Sequence, residues 1–372
     1  MRKEVNESKV PKLRFKGFTD DWMQRPLNKV ATVNSGKDYK HLQKGDIPVY
    51  GTGGYMKSVN DSLSKRNAVG IGRKGTINKP QLLIAPFWTV DTLFFITPKE
   101  NLDLNFFYYL TQTINWLRYD ESTGVPSLSK KTIDKIKLKT PTHEEQIKIG
   151  NLLKSLDSII TLEQERYLQI YRLKYALYQH IFGMREKKIS LYFNIPQLNW
   201  NSVIFEDIIA STFKGTTKVS DLDFRNGSTE YLDTDRLNNG VPIYCNNEPN
   251  VKIDDILILW DGSKAGKIYS GFEGVLGSTL KSYTLIDEVN SNYIYHYFKF
   301  NEEKISHSYT TPNIPHVIKN FTSIFKILLP DYKDQVKIGT LLERFDKILL
   351  EEKSKIERYQ IIKSVLLFNM FV

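Results

Sequence analysis

The sequence has a single cysteine, Cys245, so a disulfide framework and cysteine-based zinc sites are both excluded. A lone thiol fits a reducing, cytoplasmic setting. No apolar run reaches the roughly eighteen residues a spanning helix needs, so no membrane segment is expected. The opening Met1-Arg2-Lys3-Glu4-Val5-Asn6-Glu7-Ser8-Lys9 is polar and lacks the apolar stretch of a secretory leader. The six histidines are scattered, with no Cys–His or His-rich metal spacing; His143, His180 and His316 read as surface or helix-end residues. The Asn/Asp-Pro-Pro-Tyr/Phe motif of adenine methyltransferases is also missing.

What is present is ordinary in amount and uneven in place. Of the 372 residues, 41% are hydrophobic and 25% charged, values of a globular protein with more than one domain. The net charge is +10, and it sits at the front. Residues 1–140 carry 24 Lys and Arg against 13 Asp and Glu, whereas residues 185–329 carry 15 against 17. A basic first third suits a polyanion-facing surface, although a solvated lysine-rich face would give the same count.

The strongest signal is an internal repeat. Pro141-Thr142-His143-Glu144-Glu145-Gln146-Ile147-Lys148-Ile149-Gly150 matches Pro330-Asp331-Tyr332-Lys333-Asp334-Gln335-Val336-Lys337-Ile338-Gly339 at an offset of 189, and the match runs ungapped to Phe182 and Phe371 with 13 identities in 42 positions. Leu152/Leu341, Leu153/Leu342, Asp157/Asp346, Glu163/Glu352 and Lys174/Lys363 are among them. Gly124-Val125-Pro126-Ser127-Leu128 and Asn313-Ile314-Pro315-His316-Val317 fall at the same offset. Both long segments are helical by period. Ile149, Leu152, Leu156, Ile159, Ile170, Leu173 and Leu177, with Ile338, Leu341, Phe345, Ile348, Tyr359, Ile362 and Leu366, form a heptad seam that predicts two helices packed on each other. Each seam is broken at one depth, by Glu163 and Arg166 and by Glu352 and Lys355. A pseudo-twofold relation predicts antiparallel helices with Glu163 beside Lys355 and Arg166 beside Glu352, fixing the register.

The intervening segments repeat more loosely. Each opens on an aromatic-Trp stretch, Phe15 to Trp22 and Phe193 to Trp200, followed by short helix-like runs, Leu27–Val33 and Phe205–Ile209. Strand-like runs follow at 47–51, 68–71, 82–85 and 92–96, then at 256–260, 267–269 and 282–285. Aromatic-rich helices, Asn105–Leu117 and Ser291–Phe300, close each globule. The expected division is a tail over 1–12, globules over 13–140 and 185–329, and helical regions over 141–184 and 330–372. The fold class is α+β: two globular domains at opposite ends of an antiparallel two-helix coiled coil. Such a pseudo-twofold object suits two DNA half-sites separated by a spacer.

This arrangement closely resembles the specificity subunits of bacterial type I restriction-modification systems, which serve host defence. The resemblance covers the chain after its tail and rests on the duplicated Pro-x-x-x-x-Gln-x-x-Ile-Gly-x-Leu-Leu and the Trp22 and Trp200 openings. Segments 45–54, 124–129, 255–263 and 277–280 also look like target-recognition-domain motifs. The resemblance implies a non-catalytic DNA-binding subunit that recognises a bipartite asymmetric site. It also implies a scaffold for two methyltransferase subunits, joined in the nuclease form by two restriction subunits. S-adenosylmethionine, ATP and magnesium then belong to those partners, with none in this chain. Tyr50, Thr52, Tyr55, Arg73, Lys74 and Lys79 are the candidates for one half-site of double-stranded DNA. For the other they are Thr216, Thr217, Lys218, Arg236, Lys264 and Lys267. Being net acidic, the second domain must bind through a local cluster such as Lys264, Lys267 and Lys281, or lean on its methyltransferase partner.

Two nucleotide-binding motifs are imitated. Gly70-Ile71-Gly72-Arg73-Lys74-Gly75 fits G-x-G-x-x-G, but the following Thr76-Ile77-Asn78-Lys79-Pro80 is poor helix, and the motif needs a helix N-terminus. Gly262-Ser263-Lys264-Ala265-Gly266-Lys267-Ile268 is one residue short of a P-loop and has Ile268 where a magnesium-binding hydroxyl belongs. Both read as cationic loops that can reach phosphates or base edges. Two alternatives remain: a nuclease with an unfamiliar site, for which Glu351-Glu352-Lys353 is a weak candidate, and a helical adaptor whose globules bind proteins.

Overall fold

The computed structural model describes residues 10–183, 200–223 and 227–372. Residues 1–9 of the expected tail, and the second aromatic-Trp opening apart from Trp200, lie outside the described residues. The chain forms two compact units, Met1–Glu165 with Ser354–Val372, and Arg166–Lys353. Their boundaries fall inside the two long helices, His143–Phe182 and Tyr332–Met370. The compact units therefore cut across the division expected from sequence, because each globule packs on one half of both helices.

In the first unit a four-stranded antiparallel sheet runs in the order Ala31–Ser35, Leu93–Pro98, Ala68–Gly72, Gln81–Leu83. Ala68–Gly72 is buried throughout, as its unbroken apolar and glycine sequence requires. A second sheet holds the hairpin Lys44–Gly51 and Gly54–Val59 with Trp88–Thr89. Met23–Pro26 pairs with Lys137–Thr140 and ties the start of the globule to its end. The second unit repeats this topology. Ile209–Lys214, Leu280–Leu285, Ile256–Leu259 and Ile268–Tyr269 form the four-stranded sheet. Tyr244–Cys245, Thr229–Leu232 and Val275–Leu276 form the three-stranded one, and Asn201–Ile204 pairs with Lys326–Leu329. The fold is α+β with both sheets duplicated. Three helix readings shift: the helix-like run from Leu27 ends at Val30 and gives way to the strand Ala31–Ser35, the helix expected to reach Leu117 ends at Thr113 and is followed by a short 3-10 turn, Trp116–Tyr119, and the helix from Ser291 continues to Ser308.

The duplicated Gln and Gly of the long helices have a mechanical role. Gln146 Oε1 accepts from Asp103 N (2.9 Å), while its Nε2 donates to Pro141 O (3.0 Å) and Asn101 O (3.2 Å). Gln335 does the same with Asn290 N (3.0 Å) and Pro330 O (2.8 Å). Asp103 and Asn290 cap the helices Leu104–Thr113 and Ser291–Ser308, so each Gln clasps the start of its domain's closing helix. A Cβ on Gly150 would lie 2.7 Å from Phe106 N, and one on Gly339 2.7 Å from Asn290 Oδ1. Only glycine lets those helix starts rest on the long helices.

The buried seam differs from the expected one. It runs through positions 149, 153, 156, 160, 163, 167, 170, 174, 177 and 181, and through their counterparts 189 residues later. Leu153, Ile160, Leu342 and Leu349 point inward, while Leu152, Ile159, Leu173, Ile348 and Ile362 are exposed. Apolar doublets such as Leu152-Leu153 and Ile159-Ile160 satisfy two heptad phases, and the phase that packs wins. This phase brings polar residues into the seam. In the first unit Lys355 Nζ is 2.5 Å from Glu163 Oε1, and Lys363 Nζ is 2.7 Å from Asp157 Oδ1. In the second, Arg166 Nη2 is 3.3 Å from Glu352 Oε1, and Lys174 pairs with Asp346. The repeated Asp and Lys thus meet across the helices twice.

Each of these inner ion pairs is approached by a different residue of the closing helix. Tyr109 Oη donates to Asp157 Oδ2 at 2.8 Å, whereas in the second unit the equivalent position is His296. His296 is 1% exposed, and its Nδ1 is 2.8 Å from Tyr178 Oη. Burial, then the charges of Lys174 and Lys299, lower its pKa to about 3. Its ring lies 3.8 Å from Asp346, but Lys174 holds that carboxylate, so His296 is neutral and shares its hydrogen bond with Tyr178, whose own pKa burial raises. A histidine whose folded pKa lies below its usual value of about 6.5 stabilises the fold fully above that value, and the stability is lost as pH falls. Between pH 7 and pH 5 the wild-type protein should lose about 2 kcal/mol more unfolding free energy than a His296→Tyr variant. Urea melts at the two pH values measure this, and equal losses would contradict the assignment.

Candidate nucleic-acid interface

In the first unit the hairpin tip and the Arg73–Gly75 turn come together where its two sheets meet. The hairpin turns at Thr52-Gly53-Gly54, with Gly54 at φ +111°. Gln81 Nε2 donates to Gly51 O (2.9 Å) and Thr52 O (3.2 Å), fixing the hairpin tip to the neighbouring sheet. Tyr50 packs edge-on against Tyr55 at 6.4 Å, and Tyr55 is 63% exposed. Beside the tip lies the turn Arg73-Lys74-Gly75, where a Cβ on Gly75 would be 3.9 Å from Thr52 Oγ1. Arg73 N (2.8 Å) and Lys74 N (3.3 Å) donate to Thr92 O. Gly75 N donates to Pro126 O and Leu128 N to Arg73 O, so the 124–128 motif is the clamp on this turn. Asp120 accepts from Ser127 N, Ser122 N and Ser122 Oγ, which lowers its pKa and holds the clamp in shape. The Arg73 guanidinium sits 5.8 Å from the Phe94 ring centroid. Arg73, Lys74 and Lys79 are exposed, so the hairpin tip and the turn present aromatic, hydroxyl and cationic groups.

The second unit builds the same turn. Trp260 N (2.8 Å) and Asp261 N (3.1 Å) donate to Thr279 O, Gly262 N to Pro315 O, and Val317 N to Trp260 O. Gly75 and Gly262 both have positive φ, +94° and +118°. Gly124 needs no such freedom and has open space where a Cβ would stand, so Asn313 replaces it without strain. His316 Nδ1, 2.9 Å from Thr311 Oγ1, anchors this clamp as Asp120 anchors the first.

The candidates of the second unit divide into two groups. Thr216, Thr217 and Lys218 follow the strand Ile209–Lys214, and Thr217 O accepts from Ser278 N and from Tyr231 Oη beside the turn. Lys264 is exposed. Arg236, by contrast, makes a two-pronged pair with Glu230 (2.6 and 3.2 Å) and lies over Phe272, with its side chain a quarter exposed. Lys267 bonds Asn238 and lies over Tyr269, with its pKa lowered by burial. These two cations are engaged within the fold. Sequence reasoning passed over Lys214, which pairs with Asp261 and stands opposite Lys281 on the next strand. Among the described residues no group of three His, Cys, Asp or Glu could hold a metal ion, and no helix is long and apolar enough to cross a membrane.

The family pattern described as the type I restriction modification DNA specificity domain matches residues 19–172 and again residues 197–358. A type I restriction enzyme specificity subunit of Methanocaldococcus jannaschii is 32% identical over 136 residues, which are 35% of this chain and 32% of that protein. The chain thus spans about a third of that relative. A putative specificity subunit of Haemophilus influenzae is 22% identical over 366 residues, covering 90% of this chain and 89% of that one. The crystal structure of a type I restriction-modification S subunit from M. genitalium superposes with a TM-score of 0.76 at 16% identity, over 98% of this chain and 99% of that one. A chain from a structural study of type I system assembly and conformational transition gives 0.55 at 12% identity, over 94% and 97%.

Proposed function

The chain belongs to the type I restriction-modification DNA specificity family, the non-catalytic subunits that recognise DNA sequence, and on that premise we propose that it reads a bipartite asymmetric site. One half-site is read by the turn and hairpin of the first unit, and the other by the equivalent turn of the second. The observation that carries this reading is the duplicated clamp, one hydrogen-bond pattern holding Arg73–Gly75 and Trp260–Gly262. Phosphates supply orientation, and base edges supply the choice of sequence. Tyr50, Thr52, Tyr55, Arg73, Lys74 and Lys79 face one half-site, and Thr216, Thr217, Lys218 and Lys264 the other.

In this reading the chain also scaffolds two methyltransferase subunits and, in the nuclease form, two restriction subunits, in the cytoplasm. S-adenosylmethionine, ATP and magnesium serve those partners. The exposed apolar residues Leu152, Ile159, Leu162 and Leu173 on one long helix, and Ile348 and Ile362 on the other, support a docking role, since such side chains favour cover by a partner surface.

Arg73→Ala tests the first half-site. Binding by the complex with its methyltransferase should fall for one half-site only, by about 1–3 kcal/mol of base discrimination if the guanidinium grips a guanine edge. A uniform loss over all sequences would make Arg73 a phosphate contact. Unchanged binding and methylation would remove the turn from the interface.

A further inference from the structure

The two turns are superimposable in their backbone bonding, and the residues on them can be compared one for one at an offset of 187. Ile71 faces Phe94 across the strands of the first unit, and Ile258 faces Lys281 in the second. Two residues along, Arg73 corresponds to Trp260, and Lys74 to Asp261. In the first unit the cation comes from the turn and the aromatic ring from the adjacent strand, Arg73 over Phe94. In the second the two have changed places. Lys281 on the strand lies with Nζ 4.6 Å from the centroid of Trp260 on the turn. Diagonal neighbours on one sheet face are within reach of long and aromatic side chains, so either arrangement delivers a positive charge to the same corner.

From this we infer that Lys281, held by Trp260, is the specificity-determining cation of the second reading head and the counterpart of Arg73. The inference rests on the DNA-reading function proposed above. It also resolves how a net acidic domain meets DNA. Arg236 is committed to Glu230 and Lys267 to Asn238, while Lys281 has Lys214 beside it and is half-buried against its ring. Desolvation, followed by the charge of Lys214, lowers the pKa of Lys281. Asp261 stands where the first unit has Lys74 and pairs with Lys214. With Asp261 held by Lys214, the ammonium of Lys281 is the group that suits a guanine edge. The first head, with Arg73 and Lys74, has donors alone at these two positions. The two heads therefore differ in the chemistry they offer, and the site they read is asymmetric.

The test uses the full chain assembled with its methyltransferase partner, on duplexes carrying the motif found by mapping methylated adenines made by the wild-type complex. Lys281→Met should weaken binding about tenfold or more and flatten base preference at a position of one half-site, the half-site that Arg73→Ala leaves untouched. Lys281→Arg, which keeps charge and stacking, should retain binding, and Lys267→Met should bind as the wild type. The exchange Trp260→Arg with Lys281→Phe, which installs the first unit's arrangement, should regain binding with an altered preference in that half-site alone. Wild-type binding and discrimination by Lys281→Met, in a protein whose melting is unchanged, would overturn the inference. So would a loss spread evenly over unrelated sequences. A wild-type complex that binds no duplex at all would instead defeat the DNA-reading function, and the two failures are distinguishable.

Discussion

Phe371→Ala is expected to destabilise the first unit by about 3–5 kcal/mol, and Phe182→Ala the second by the same order. Phe182 ends one long helix and Phe371 directly follows the other, and each plugs a globule core. The Phe371 ring lies 6.3 Å from Trp22, edge-on, and 5.4 Å from Phe106. Phe182 packs on Tyr293 (5.8 Å), Tyr297 (5.4 Å) and Phe300 (5.6 Å). Both are under a tenth exposed, so truncation leaves an aromatic-lined void with little room to collapse. The first globule thus receives its plug from the C-terminal repeat, where Leu13 N also donates to Asn369 O (2.8 Å). The second receives its plug from the central helix. Urea melts give the magnitude, and limited proteolysis gives the place. Cleavage should move into residues 13–140 in Phe371→Ala and into 200–329 in Phe182→Ala. Losses below about 1 kcal/mol would contradict this account of the cores.

Much of this was legible in the sequence, and the reasons are specific. The repeat gave the two helices and the duplicated globules, because identical residues at a constant offset must do the same work in each copy. The pairing of Glu163 with Lys355 and of Arg166 with Glu352 follows from placing those helices antiparallel, and the side chains meet in those pairs. What the pattern left open was the phase of the seam. Leu152 and Leu153 are equally apolar, and only packing against the closing helices selects Leu153. The work of Gln146 and Gly150 was hidden for a related reason. A repeated Gln and Gly signal a shared constraint without naming the partner, which is the capped start of the helix at Asp103.

The candidate interface was legible in the first unit and only in part in the second. Arg73 and Lys74 stand out as cations in a glycine-rich turn, and they are exposed there. Arg236 and Lys267 looked equivalent on paper, but carboxylate and amide partners far along the chain engage them. The counterpart of Arg73 could not be found by residue type, because cation and ring have exchanged strands. Only the shared hydrogen bonds to Thr92 and Thr279 align Arg73 with Trp260 and so bring Lys281 into view.

We propose that the paired helices of one chain set the spacer of its bipartite site, and changing helix length tests the bipartite reading most directly. Insertion of one heptad after Gln164 and another after Lys353 keeps the buried seam in phase, since the seam repeats every seven residues. Each helix lengthens by roughly 10 Å at about 1.5 Å per residue, the length of about three base steps of roughly 3.4 Å. Binding should weaken somewhat, because three added base pairs also rotate one half-site around the duplex by about a quarter-turn or more. The measurement is the mapping of methylated adenines in cells carrying the variant in place of the wild type. The account predicts the same two half-site sequences with a spacer about three base pairs longer. A folded, DNA-binding variant that methylates sites of the original spacing would contradict it.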